Sequence, residues 1–143
     1  MIRSLGVQRT EIVLVVVQFG DRICLARRSQ DVATSQGLWS VVTGYLEPCR
    51  EPADQAWTEL YEELGLGRAD LRLVGSLAAV ALTSPSSGKH FLVHPFLFER
   101  VSHRDVVLNW EHTACAWVDV SRLDEADCVP WQRTIVRALL GLE

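Results

Sequence analysis

Lysine is almost absent: Lys89 is the only one, beside 13 arginines. We read that bias as coding first and chemistry second. Acids still outnumber bases, 18 to 14, for a formal net charge of −4. That balance argues against a general nucleic-acid-binding surface, and no nucleic acid is expected as a partner. Long apolar runs are lacking too. Ile12 to Val17, with Phe19 beyond Gln18, falls far short of the ~20 residues that cross a bilayer. It follows Glu11 and has no small-residue cleavage site of a signal peptide, so no membrane partner and a cytoplasmic location are expected. Cys24, Cys49, Cys115 and Cys128 are scattered and form no CxxC pair, which speaks against a disulfide framework or a Cys/His zinc site. No repeat, low-complexity tract or linker divides the 143 residues, and a single domain over 1–143 is expected. A composition of 48% hydrophobic and 22% charged residues excludes wholesale disorder.

What is present is a mixed pattern. Ile12 to Phe19 is a continuous β-branched run, the mark of a strand buried on both faces. Gly20-Asp21 turns the chain, and Ile23 to Ala26 reads as the returning strand of a hairpin. Residues 29 to 37 read as a loop, and Leu38 to Thr43 as a short strand entering Gly44. Pro52 suits the first turn of a helix whose apolar stripe is Ala53, Ala56, Trp57, Leu60 and Leu64. Gly65 is placed to end that helix in a left-handed conformation. Leu71 to Leu82, Phe91 to Phe98 and Ala114 to Val120 are strand-rich. Trp131, Ile135, Val136, Leu139 and Leu140 form a terminal amphipathic helix. The order predicts a compact α/β sandwich.

The helix opened by Pro52 carries Glu59, Glu62 and Glu63 at i, i+3 and i+4, which places them on one face. Like charges so close destabilise a helix, and near its C-terminal end the dipole disfavours anions as well. A divalent cation offsets that cost directly, because Mg²⁺ and Mn²⁺ prefer carboxylate oxygens and bring substrate phosphates into the same shell. From the helix alone, a solvated acidic face is the commoner arrangement.

The flanking residues add to this. Gly44, Glu59, Leu60, Glu62, Glu63, Gly65 and Leu66 fill seven of the nine specified positions of a pattern that resembles the signature of the Nudix hydrolases. Trp39 to Glu47 resembles that family's approach to its box. The resemblance implies a Nudix-type α/β/α sandwich with a mixed central sheet. It implies metal-dependent hydrolysis of a nucleoside diphosphate linked to another moiety, with Mg²⁺ or Mn²⁺ as cofactor. Glu59, Glu62 and Glu63 would be metal ligands, the carbonyl of Thr43 a further one. Water attack on phosphorus would then split the pyrophosphate link.

Two positions depart from the pattern. Its first Glu is Arg50 here and its Arg is Thr58. In the family those two residues commonly pair and brace the loop against the helix. Losing both leaves no unpaired partner behind. Arg50 is expected to pair instead with Asp54 or Glu47, or Glu51 to take the missing acid's place. The rival function is a nucleotide-binding regulatory domain with weakened catalysis.

Asn109-Trp110-Glu111-His112 resembles a later segment of many Nudix domains, in which a Glu before a His supplies a further ligand or a general base. Glu111 is therefore a candidate base beside Glu62 and Glu63, against the alternative of an exposed loop carboxylate. Arg27 and Arg28 are candidates for phosphate contacts, since arginine's planar fork suits them. Trp39 and Tyr45 are candidates for stacking on a base, against ordinary packing. Parts of residues 39 to 44 and 110 to 118 resemble the dihydroneopterin-triphosphate or dATP pyrophosphohydrolases, without naming a substrate. A small nucleotide-type diphosphate is the expected partner, and a homodimer a fair expectation. The charge is concentrated accordingly: residues 47 to 63 hold six acids and one base, so the rest of the chain carries +1.

Overall fold

A computed structural model describes residues 9–85 and 87–142. The long apolar run forms strand β1 (Thr10–Phe19), and Gly20, at φ 60°, turns it into the antiparallel β2 (Arg22–Arg28). β1 then organises the sheet. Along one edge it pairs in parallel with β7 (His90–Arg100) from Thr10 to Gln18. Along the other edge it divides: Ile12 to Val15 pair with β4 (Val42–Tyr45), while Gln18 and Phe19 pair with β2.

The stretch read as one strand, Leu38 to Thr43, is two. β3 (Trp39–Ser40) pairs with β2, and β4 crosses to β1. The crossing falls at Val41, whose N–H leaves the ladder and donates to Oε1 of the buried Gln132 at 3.1 Å. Gln132 Nε2 donates to Ser40 Oγ at 2.9 Å, so one amide satisfies both sides of the break. The remaining strands are β5 (Leu71–Ser76) and β6 (Val80–Thr83), both on β7, and β8 (His112–Asp119) on β2.

Side-chain alternation along β1 divides the interior into two cores. Val13, Val15 and Val17 face helix α1 (Pro52–Leu64), where Ala56, Leu60 and Leu64 pack with Phe96 and Phe98. Ile12, Leu14 and Val16 face helix α2 (Gln132–Leu139) and a 3₁₀ turn at Val120–Glu125, through Leu123, Ile135, Val136 and Leu139. A mixed sheet between two helical layers is the expected sandwich. Among the described residues, no helix is long and apolar enough to cross a membrane.

Pro52 stands at the first turn of α1, and Gly65 ends it at φ 69° with its N–H donating to the Tyr61 carbonyl at 2.9 Å. A side chain at Gly65 would also meet Val107 Cβ at 3.1 Å. The helix therefore stops where the sequence pattern stops. Replacing Gln132 with Met fills the same volume but orphans the Val41 N–H. The expected cost is about 1–3 kcal/mol, read from urea denaturation of the variant against the parent.

Candidate active site

The acidic face of α1 lies against the end of β4 and the end of β2. Gly44 on β4 is where the Glu59 carboxyl comes closest to the sheet. A side chain at Gly44 would overlap Cγ and the carboxyl of Glu59. Glycine is required there for close approach rather than for a turn, because its φ is not positive. Thr43, its neighbour, is half-buried and paired opposite Leu14 of β1.

Glu63, one turn beyond Glu59, is 1% exposed. Its Oε2 has no hydrogen-bond partner, and neither does Nδ1 of His112. That Nδ1 lies 3.8 Å from Glu63 Oε1, and both side chains are sealed from solvent. The contact is not an ion pair. Burial, with the nearby Arg28 charge, drives the His112 pKa down to about 4, so the imidazole is neutral near pH 7. Burial also pushes the Glu63 carboxyl well above the usual range. The neighbouring Glu111 charge and a hydrogen bond with Glu59 add to that shift, while Arg28 opposes it. Glu59 is raised as well, chiefly by burial. Glu62 is exposed.

Arg28 stands opposite His112 in the β2–β8 register, where a bulge separates it from Arg27. Its Nε donates to the Thr34 carbonyl at 3.0 Å, and Arg27 Nε to the Gly37 carbonyl at 3.1 Å. The Arg28 charge acts on the buried Glu63 and opposes the rise of its pKa. Glu111 arrives on the segment after β7. Val107 N–H donates to the Leu64 carbonyl at 2.8 Å, and Ser29 N–H to the Glu111 carbonyl at 2.8 Å. That segment is pinned further back by Asp70, whose carboxylate accepts from Gly67 N–H at 2.9 Å and from Ser102 Oγ at 2.7 Å.

Glu59, Glu63, Glu111 and Arg28 are thus drawn together. Trp39 is not: it packs against the core on the α2 side. Tyr45, at the end of β4, is 67% exposed. Among the described residues, no group of three or more His, Cys, Asp or Glu side chains closes around a metal position. Arg50 does not pair with the carboxylate of Asp54 or Glu47. It donates to the Asp54 carbonyl at 3.0 Å and to Thr58 Oγ1 at 2.9 Å, because Thr58 lies one turn further along the same helix edge. The residue that sequence reasoning missed is Gln55, a buried polar side chain at helical spacing before Glu59. Its signal was polarity beside the apolar stripe.

The NUDIX domain family model matches residues 7–139, and the chain belongs to the Nudix hydrolase family. Its fold is similar to that of the dihydroneopterin triphosphate pyrophosphohydrolase of E. coli, at TM-score 0.76 and 19% identity, over 94% of this chain and 98% of that one. It is similar too to the Ap4A hydrolase of C. elegans, at TM-score 0.72 and 18% identity, over 93% and 99%. An octanoyltransferase of Myxococcus xanthus is 36% identical over 99 residues, which is 69% of this chain but only 27% of that protein.

Two outcomes follow from this geometry. In Gly44→Ala the Glu59 side chain must move from Cγ outward, because Cγ as well as the carboxyl overlaps the new Cβ. A crystal structure of the variant shows the Glu59 carboxyl displaced from β4. Asp70 is held below the ordinary aspartate value of 3.8, first by the Gly67 N–H and then by the Ser102 hydroxyl. A depressed pKa stabilises the fold above that value and ceases to do so as the pH falls through the folded pKa. Asp70→Asn therefore lowers Tm at pH 7, and the gap to the parent narrows in thermal melts taken progressively below pH 3.8.

Proposed function

We propose that this protein hydrolyses a pyrophosphate bond in a nucleoside diphosphate linked to another moiety, or in a nucleoside triphosphate, with Mg²⁺ or Mn²⁺ as cofactor. One observation carries this reading. The buried Glu63 carboxyl has an oxygen without a partner, beside two further carboxyls. Burying a carboxyl oxygen without a partner is costly, and a cation of hard, oxygen-seeking character offsets that cost. Glu59, Glu62 and Glu63, with the Thr43 carbonyl, would hold it. Exposed Glu62 would turn inward to join Glu59 and Glu63. When bound, the cation supplies charge neutralisation of the diphosphate and a more acidic water.

The side chains divide the remaining work. A carboxylate among Glu62, Glu63 and Glu111 takes the proton of the attacking water. Neutral His112 lies against Glu63 and keeps that carboxyl out of bulk solvent. Arg28 contributes positive charge at the same place, where phosphate oxygens would enter. Arg27 lies one residue away on the same strand end. Exposed Tyr45 suits stacking on a base, a role for which the packed Trp39 is poorly placed. Attack on phosphorus forms one P–O bond, breaks the bridging P–O bond and leaves two phosphate-bearing products. The pyrophosphohydrolase named among the structures of similar fold supports this reaction class.

The regulatory reading draws on the departures at Arg50 and Thr58. Against it stands the hydrogen bond that joins those very residues. A panel of nucleoside diphosphate derivatives and triphosphates with Mg²⁺ or Mn²⁺, scored for product identity, decides between them. Turnover of at least one compound is expected, with a loss on the order of a hundredfold or more in Glu63→Gln. Nucleotide binding without turnover across the panel would establish the regulatory role instead.

A further inference from the structure

The loop before α1 is braced by an unusual arrangement centred on Gln55. Its side chain is buried, at 2% exposure, in the first turns of the helix. Oε1 accepts from the Glu47 N–H at 3.2 Å and from Arg50 Nη1 at 3.4 Å. Nε2 donates to Glu59 Oε1 at 3.1 Å. The direction of the amide is set by its partners. Rotated by half a turn, its NH₂ would face two donors and its oxygen a carboxylate. Arg50 is itself fixed through its other terminal nitrogen, on Thr58 Oγ1 and the Asp54 carbonyl. A single connected network therefore runs from the loop backbone through Gln55 to one oxygen of Glu59.

Gly44 closes the opposite side. The Glu59 carboxyl sits where any side chain at residue 44 would have to be. Between the Gly44 backbone and the Gln55 amide, Glu59 has little room to rotate. The amide also has a chemical advantage over a cationic donor. It orients the carboxylate with one hydrogen bond and brings no positive charge to compete with a cation for the remaining lone pairs.

The geometry points to Gln55 as the positioning residue of this site: it aims Glu59 at the cation, and Arg50 with Thr58 holds Gln55 in place. The pair of positions where the family pattern has Glu and Arg thus braces the loop by neutral and singly charged hydrogen bonds instead of an ion pair. The inference rests on the hydrolase reading, since it needs Glu59 to be a metal ligand.

Mn²⁺ binding to the full chain, followed by the loss of the free-ion EPR signal, tests it without recourse to turnover. Gln55→Met keeps the volume and removes both hydrogen-bonding ends. Mn²⁺ affinity is expected to fall roughly tenfold, as for other residues that orient a metal ligand. The melting temperature of the metal-free protein serves as the check that the fold persists. Arg50→Met, at a half-buried position, is expected to shift Mn²⁺ affinity in the same direction by less. It decides the matter alone if Gln55→Met does not fold. Affinities within about twofold of the parent in the variants that fold would overturn the assignment, because orienting residues normally cost more than that. Glu59→Gln separates this failure from a wider one. If it too binds Mn²⁺ like the parent, or the parent binds none, the metal-site reading fails and Gln55 has nothing to position.

Discussion

The rest of the site depends on the burial of one carboxyl. Glu63 is carried on the inner edge of α1, where Leu60 and Leu64 must meet the sheet, so its side chain goes in with them. Burial removes water from an acid, and neighbouring Glu59 and Glu111 make a bare charge there still less favourable. The surroundings respond in kind: His112 stays neutral, and Arg28 supplies the positive charge acting on the acid. Helix packing and the electrostatics of the candidate site are consequently one problem. A helix shifted enough to free Glu63 would also open the core beneath it.

The same dependence explains the loop. Glu59 must be held close to β4 without a bulky neighbour, and Gly44 makes the space. The segment between them spans the exposed Glu47, Pro48 and Cys49, and Cys49 adopts φ 65°. Such a turn needs an anchor from outside its own backbone. Gln55 and Thr58 provide it from the helix side, accepting from the Glu47 N–H and from Arg50 respectively. Replacing an ion pair by a hydrogen-bonded network preserves the mechanical link while changing its charge.

Much of this was legible in the residues. The β-branched run of β1, the Gly20-Asp21 turn, the start of α1 at Pro52 and its end at Gly65 follow from local rules of propensity and backbone sterics. The shared face of Glu59, Glu62 and Glu63 follows from helical spacing. Other features had no local signal. Val41 breaks one strand into two because β1 and β2 diverge beneath it, and the amide that satisfies the break comes from residue 132. Arg50 was expected to seek a nearby acid, yet a threonine one turn further along was better aligned. Trp39 looks the same as any site aromatic in sequence, and only its face of the sheet assigns it to the α2-side core.

By itself the sequence determined the element order, the clustering of acids between residues 47 and 63, and the family to which the spacing of Gly44, Glu59, Glu62 and Glu63 belongs. These depend on neighbours a few residues apart, where helix and strand periods dictate which side chains share a face. Tertiary structure alone decided which acid is buried, that His112 and Arg28 meet it from another strand pair, and that Gln55 holds Glu59. Those outcomes depend on groups tens of residues apart being brought into a space without water. Desolvation and hydrogen-bond geometry act only once that space has closed.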